Sequence, residues 1–219
     1  MWSYYGTKKR IAKHYPKPIF DKIIEPFAGA AQYSLFDENW KKEVILYDKY
    51  DVIINIWNYL INANEKDILS LPDMFEGDNV ETHTSLSKDE KNLIGFCINS
   101  GSAAPKKTTK KFNSWNKTKL DISKNLYKIK HWKAYVGSYD VIENDEATWY
   151  IDPPYFSGGI WYRHNNKHIN YDELGKWCLS RKGQIIVCEN DSATWLDFKP
   201  LVVMNGQLHK TMEVIYTNL

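Results

Sequence analysis

The residues richest in chemistry are Asp152-Pro153-Pro154-Tyr155, which follow the apolar run ATWYI at 147–151. Two consecutive prolines have fixed φ and no backbone N–H groups, so they make a stiff corner whose carbonyls are expected to point outward and stay free. A carboxylate on one side and an aromatic ring on the other frame a slot for a planar amine. Asp152 and the Pro153 carbonyl would accept hydrogen bonds from that amine, and Tyr155 would stack on its ring. Ligands of open α/β sheets bind beyond the carboxyl ends of strands, where this corner would lie. The plainer alternative is a Pro-Pro turn that only ends a strand.

A second candidate is Glu25-Pro26-Phe27-Ala28-Gly29-Ala30-Ala31. It follows one apolar run and precedes a helical pattern, and its small residues let main chain approach a ligand closely beside a helix N-terminus. Asp48 closes the next β-branched run, about 20 residues on, at the distance where dinucleotide-type folds bond ribose hydroxyls. Its alternative role is an N-cap for the following helix.

A parallel sheet is needed to bring these turns together. Apolar runs at 23–27 and 43–48 read as strands, with helices expected at 32–40 and 52–61. Later strands are expected at 133–136, 147–152, 184–188, 200–204 and 212–217, the last two as a terminal hairpin, with a helix at 171–180. Between them strand signals are sparse, and helices are expected at 88–99 and 122–132. The alternation predicts an α/β fold: a doubly wound, mostly parallel sheet interrupted by a mainly helical region. The expected division is 1–64 with 133–219 as one unit and 65–132 as the insertion.

The 219 residues carry 43% hydrophobic, 26% charged and 15% aromatic residues, which suits one globular domain with a sizeable core. The net charge of +2 is unevenly spread. Ten lysines, at 106, 107, 110, 111, 117, 119, 124, 128, 130 and 133, face one acidic residue, Asp121, in that stretch, so the remainder is net acidic. The segment SGSAAPKKTTKKFNSWNKTK reads as an exposed loop. Lys106, Lys107, Lys110 and Lys111, with Trp115, would suit phosphates and bases; a solvated face is the alternative. Asn99, Ser100, Asn113 and Asn116 are further candidates to reach base edges. The loop 156–166 holds Gly158, Gly159, Trp161, Tyr162, Arg163 and His164; Arg163 either touches phosphate or is solvated. The three cysteines show no metal-ligand spacing, so reduced thiols and no metal are expected. No run is long enough to cross a bilayer, and no signal-peptide core opens the chain, so a cytoplasmic protein is expected.

Taken together, DPPY, the PFAGAA turn and the opening Tyr4-Tyr5-Gly6-Thr7-Lys8 resemble the Dam-type DNA adenine methyltransferases, most clearly over 4–60 and 134–219. The stretch GQIIVCENDSATWLDF is similar to the final third of short phage- and virus-type members, for which the location would be the host cell interior. The resemblance implies S-adenosylmethionine as cofactor and a Rossmann-like methyltransferase sheet whose insertion recognises the target. It also implies double-stranded DNA as partner, with the chain a monomer or weak dimer. Tyr4 and Lys8 would border the cofactor, Phe27 and Gly29 would floor its methionine side, Pro26 would also belong to the cofactor site, and Asp48 would hold its ribose. Asp152, Pro153, Pro154 and Tyr155 would be catalytic, with Asp152 also touching the cofactor's amino end. The family's turn usually ends in glycine where this chain has Ala31, so the main chain there is expected to avoid positive φ. The acidic residue many relatives carry after the third strand is replaced by Gly137-Ser138-Tyr139-Asp140. Either Asp140 takes that role, or Ser138, Tyr139 and main-chain atoms recognise the cofactor's adenine.

The chemistry so implied is direct methyl transfer to the exocyclic amine of an adenine flipped from its stack. RNA adenine methylation and a catalytically inactive DNA-binding module of the same fold are the alternatives. Cytosine-amine methylation ranks lower, because such enzymes more often carry serine where Asp152 stands. A nicotinamide enzyme lacks its glycine fingerprint here.

Overall fold

The β-branched and aromatic runs become strands close to where their pattern puts them. The computed structural model describes residues 1–2, 4–99, 101–205 and 210–219. Its strands are β1 (Lys22–Glu25), β2 (Glu43–Asp48), β3 (Lys133–Val136), β4 (Ala147–Ile151), β5 (Gly183–Asn190), β6 (Lys199–Asn205) and β7 (Lys210–Thr217). They form one sheet in the order β3-β2-β1-β4-β5-β7-β6. Neighbours from β3 to β5 are parallel, and β7 is antiparallel to both β5 and β6, so only β7 is reversed. β1 ends at Glu25 rather than at residue 27, because Pro26 has no N–H to continue the ladder.

The strand order reverses direction between β1 and β4, which pair Ile23 with Thr148 and Ile24 with Trp149. Chain connections diverge at that point, and their carboxyl ends open a crevice. The ends of β1 and β4 are the two sequence motifs.

Both faces of the sheet are covered. Ile23, Val44, Leu46, Tyr150, Ile186 and Cys188 face a core cluster shared with α2 (Asp51–Asn62), whose Ile53, Ile56, Trp57 and Leu60 are buried. Ile24, Trp149, Ile151, Ile185 and Val187 face the other, which Leu174 and Cys178 of α6 (Tyr171–Leu179) close. The alternation of consecutive residues between clusters is the period of two that a strand imposes.

The helix expected over 32–40 is much shorter. Here α1 spans Gln32–Leu35, and a 3-10 turn follows at Asn39–Lys41. Phe36 is extended and Asp37 has φ of 50°, so the helix cannot pass. Ala31 has φ of 44°, against the expectation that the alanine would exclude positive φ. Its N–H bonds the Ala28 carbonyl at 2.7 Å and its methyl is buried, so the local turn outweighs the left-handed strain.

Between α2 and β3 lie α3 (Glu65–Leu69), α4 (Lys88–Cys97) and α5 (Trp115–Asn125). Capping boxes start two of them, Asn64 with Asp67 and Ser87 with Glu90. α5 begins seven residues before the helix expected from 122, inside the supposed loop. Its buried stripe is Trp115, Lys119 and Ile122, continued beyond its end by Leu126 and Ile129, at helical spacing. The lysine on that stripe hides the pattern in the sequence. Its ammonium is held by the Leu71 carbonyl at 2.9 Å and Asp73 at 2.5 Å. Trp2, Trp57, Leu71, Leu93, Phe96 and Trp115 all belong to one apolar cluster.

No helix among the described residues is long and apolar enough to cross a membrane.

Candidate functional site

The turn after β1 is fixed from three sides. The Ala28 N–H donates to the Tyr47 carbonyl at 2.9 Å, and the Gly29 N–H to Asp48 Oδ2 at 3.1 Å. Trp57 Nε1 donates to the Gly29 carbonyl at 2.8 Å. Gly29 has φ of 44°, and a Cβ there would meet the Tyr4 ring at 3.2 Å. The glycine is therefore required both by conformation and by the approach of Tyr4. Asp48 is not the N-cap of α2, a place taken by Tyr50. Instead its Oδ1 accepts from the Tyr50 N–H at 2.9 Å, so one carboxylate joins the ends of β1 and β2. Burial pushes Asp48 up to about 6, opposed by these two N–H donors.

The corner after β4 faces this turn across a cleft with about 950 Å³ of empty volume, open to solvent. Ten of the twelve residues expected to be catalytic or to hold the cofactor line it: Tyr4, Lys8, Pro26, Phe27, Gly29, Asp48, Ser138, Tyr139, Asp152 and Pro154. Asp140 is exposed and does not line it, so Ser138 and Tyr139 supply the surface after β3. Phe27 and Tyr139 face each other with ring centroids 5.8 Å apart. Pro153 is buried, and neither it nor Tyr155 is among the lining residues. The two proline carbonyls differ. That of Pro154 accepts from the Tyr171 hydroxyl, contrary to the expectation that both stay free, whereas that of Pro153 has no partner among the described residues.

Lys8 reaches the corner from the N-terminal segment. Its Nζ is 3.0 Å from Asp152 Oδ1 and 3.7 Å from Glu213 Oε1, donates to the Tyr155 hydroxyl, and lies 4.1 Å from the centre of the Tyr155 ring. Burial disfavours the Lys8 ammonium, but Asp152 and Glu213 outweigh it and its pKa stands above the lysine norm. Burial likewise raises Asp152 to about 6; Lys8 opposes the rise and Glu213 adds to it. Glu213 Oε1 also accepts from the hydroxyls of Tyr15 at 2.6 Å and Tyr155 at 2.7 Å.

Tyr33 and Tyr150 line the cleft as a stacked pair, 4.2 Å apart and 2° from parallel. Glu25 stands beside them, 1% exposed, its Oε1 accepting from the Ser34 N–H and hydroxyl. Burial pushes Glu25 up to about 8 despite those donors. Across the mouth, Tyr162 packs on Tyr4 and Tyr5 and donates to the Tyr5 carbonyl at 3.3 Å. Gly6 makes room: a Cβ there would sit 2.0 Å from the Tyr162 hydroxyl oxygen. His164 lines the cleft from the same loop, with its pKa lowered by desolvation and then by Lys49. Glu189, at the end of β5, holds the Phe156 N–H at 2.7 Å and Trp195 Nε1 at 3.2 Å, and burial raises it to about 7.

Glu189 and Glu213 carry no role in the sequence reading, and Glu25 stands there only as the first residue of the turn motif after β1, although each breaks an apolar strand run. A carboxylate in a buried strand is rarely unpaired, and that was the available signal.

The basic segment divides. Lys106, Lys107, Lys110, Lys111 and Arg163 are exposed. Lys107 lies 3.6 Å from Glu81. Lys119 and Lys130 are structural, the latter donating to the carbonyls of Ile61 and Ala63. Trp115, expected at a nucleic-acid surface, is 0% exposed, and its Nε1 donates to the Pro72 carbonyl at 2.8 Å. It is a core residue because it begins the apolar stripe of α5. Asn116 spends its amide on both main-chain groups of Met74, and Asn99 and Asn113 bond nearby carbonyls. Ser100 lies outside the described residues. The lysine loop adjoins the cleft, since the Ser102 carbonyl accepts from the Tyr5 N–H at 3.2 Å.

Among the described residues, no group of His, Cys, Asp and Glu forms a metal site. No family model matches the chain, and no curated protein matches it.

Proposed function

We propose that this chain is an S-adenosylmethionine-dependent methyltransferase acting on the exocyclic amine of adenine in DNA, of the Dam type that its motifs resemble. The observation that carries the reading is one cleft, at the reversal of strand order, shared by the Gly29 turn and the Asp152–Tyr155 corner. On this reading the sheet is a Rossmann-like methyltransferase sheet, formed by 1–64 and 133–219. Residues 65–132 are then the target-recognition insertion.

The residues present fit such a cofactor. The Gly29 turn leaves a cradle that a side chain would fill, with Tyr4 above it. Asp48 retains lone pairs for ribose hydroxyls after accepting its two N–H donors. Phe27, Ser138 and Tyr139 form the wall suited to an adenine ring. When bound, the cofactor supplies an electrophilic methyl on a sulfonium.

The corner itself holds an amine in this structure. The Lys8 ammonium meets the Asp152 carboxylate and the Tyr155 ring face, the same two groups that an aminated base would meet. A target adenine amine would donate to Asp152 and to the Pro153 carbonyl. Those bonds favour a pyramidal nitrogen with its lone pair aimed along the cleft. Asp152 need not be a strong base, since the amine becomes acidic as its new bond forms; positioning and electrostatics do most of the work. The target reaches the corner by leaving its stack. Lys106, Lys107, Lys110, Lys111 and Arg163 would hold phosphates without reading sequence.

The test is calorimetric titration with S-adenosylmethionine, then transfer of a tritiated methyl to duplex DNA and to RNA. Binding with transfer to adenine in DNA is expected. Transfer to RNA alone would move the substrate, and binding without transfer would leave an inactive DNA-binding module. Absence of binding would end the reading.

A further inference from the structure

We propose that Glu213 is a positioning residue that fixes the Asp152–Tyr155 corner by holding the Tyr155 hydroxyl and sharing the Lys8 ammonium with Asp152. The inference rests on the function proposed above for its catalytic meaning, while its electrostatic content stands on the geometry alone.

Glu213 lies on β7, the reversed strand, opposite Asn190 of β5 and Val202 of β6. It is 7% exposed and does not line the cleft. A carboxylate so enclosed needs donors, and two tyrosine hydroxyls supply them at 2.6 and 2.7 Å, both to Oε1. One comes from the N-terminal segment, at Tyr15, and the other from the corner, at Tyr155. The same oxygen lies 3.7 Å from Lys8 Nζ, which is 3.0 Å from Asp152. One ammonium therefore serves two carboxylates. When a target amine takes Asp152, Lys8 still has Glu213 as counter-ion, so a buried cation is never left alone.

The charged and titratable groups facing Glu213 are Lys8 and Tyr15 from the N-terminal segment, Asp152 and Tyr155 from the corner, Tyr162 from the loop after it, and Cys188 from β5. Its neighbour on β6, Val202, is uncharged. Neutralising Glu213 removes a like charge from beside Asp152, so Asp152 ionises at lower pH.

The test is Glu213→Gln, which keeps an oxygen acceptor for both hydroxyls and removes the charge. S-adenosylmethionine affinity should stay within about twofold, because Glu213 is outside the cleft. Methyl transfer should fall by about 10- to 100-fold, as expected when a reacting group loses its position. The acid limb of the pH profile should move to lower pH. Unchanged transfer with an unmoved acid limb would overturn the proposal; so would loss of donor affinity in proportion to activity, which marks a general loosening. If Glu213→Gln does not fold, Tyr155→Phe carries the test. Loss of transfer with donor affinity kept is expected, and native turnover would overturn it. If the native chain transfers no methyl, the proposed function falls separately. Carbon-13 NMR titration of the Asp152 carboxyl in native and Glu213→Gln protein then decides this one. A lower midpoint in the variant supports it, and an unmoved midpoint overturns it.

Discussion

Lys8 Nζ lies 3.0 Å from Asp152 Oδ1, across 144 residues of chain, and with the Tyr155 ring it closes the corner after β4. The cation has two effects. It opposes the desolvation that raises Asp152, and it covers the ring face on which a base would stack. Lys8→Met should therefore raise the Asp152 pKa above about 6 and move the acid limb of methyl transfer to higher pH, opposite to the shift expected from Glu213→Gln. A pH–rate profile of the two variants side by side checks the opposed signs.

Asp152→Asn keeps the shape of the corner and removes its charge. Transfer should fall by at least about 10²- to 10³-fold, the cost of losing one preorganised electrostatic group. The melting temperature should not drop, because a carboxylate that burial pushes up to about 6 is not a source of stability at neutral pH. Single-turnover transfer and calorimetry measure the two. Robust transfer by a folded variant would exclude Asp152 as the amine's acceptor.

Glu25 makes stability depend on pH in a direction that can be worked out. Its pKa rises from an ordinary 4.5 to about 8 on folding, so between those values the folded chain binds a proton that the unfolded chain has released. Its contribution is complete below about pH 4.5 and is lost as pH rises to about 8, with a slope near 1.4 kcal/mol per pH unit for one proton. Glu189 adds a like trend up to about 7. Glu25→Gln retains an acceptor for Ser34 and should flatten the upper part of that dependence. Denaturant melts from pH 5 to pH 8.5 test it, and an unaltered slope would count against a protonated Glu25.

Gly29→Ala and Ala31→Gly should behave differently although both sites have φ of 44°. At residue 29 the added methyl costs about 1–2 kcal/mol of left-handed strain and presses the Tyr4 ring at 3.2 Å, so stability and donor affinity should both fall. At residue 31 relief of similar strain is offset by about 0.8 kcal/mol of lost methyl burial and about 0.4–1 kcal/mol of added chain entropy. That variant should be neutral within about 1 kcal/mol by urea denaturation.

The exposed lysines predict a salt effect. Neutralising Lys106, Lys107, Lys110 and Lys111 should flatten the dependence of log affinity for duplex DNA on log salt by about one unit for each lysine that touches a phosphate. Lys107 should count least, because Glu81 already stands 3.6 Å away. Fluorescence anisotropy between 50 and 200 mM salt reads the slope. An unchanged slope would remove this loop from the interface.

The strands and the two turns were legible in the sequence because their determinants are local. β-branched runs specify strands, Pro26 and the two prolines of the corner end them, and Asp48 closes β2 where the pattern places it. Five of the ten cleft residues, Pro26, Phe27, Gly29, Asp152 and Pro154, came with those turns and Asp48 with the end of β2, whereas Tyr4, Lys8, Ser138 and Tyr139 came only through the family resemblance. What lies off the local pattern was not legible. Trp115 looks like a surface aromatic among lysines until α5 turns it inward, and Lys119 hides on the same buried stripe. Helix 32–40 fails at Asp37, whose positive φ no periodicity announces. Glu213 acquires its partners only when β7 inserts between β5 and β6, bringing it to Lys8 across 205 residues. Local sequence can specify which backbone a segment prefers, and hence where a strand must stop. Which charges meet in the interior depends on desolvation and on contacts between distant segments, and only the packed tertiary structure decides those.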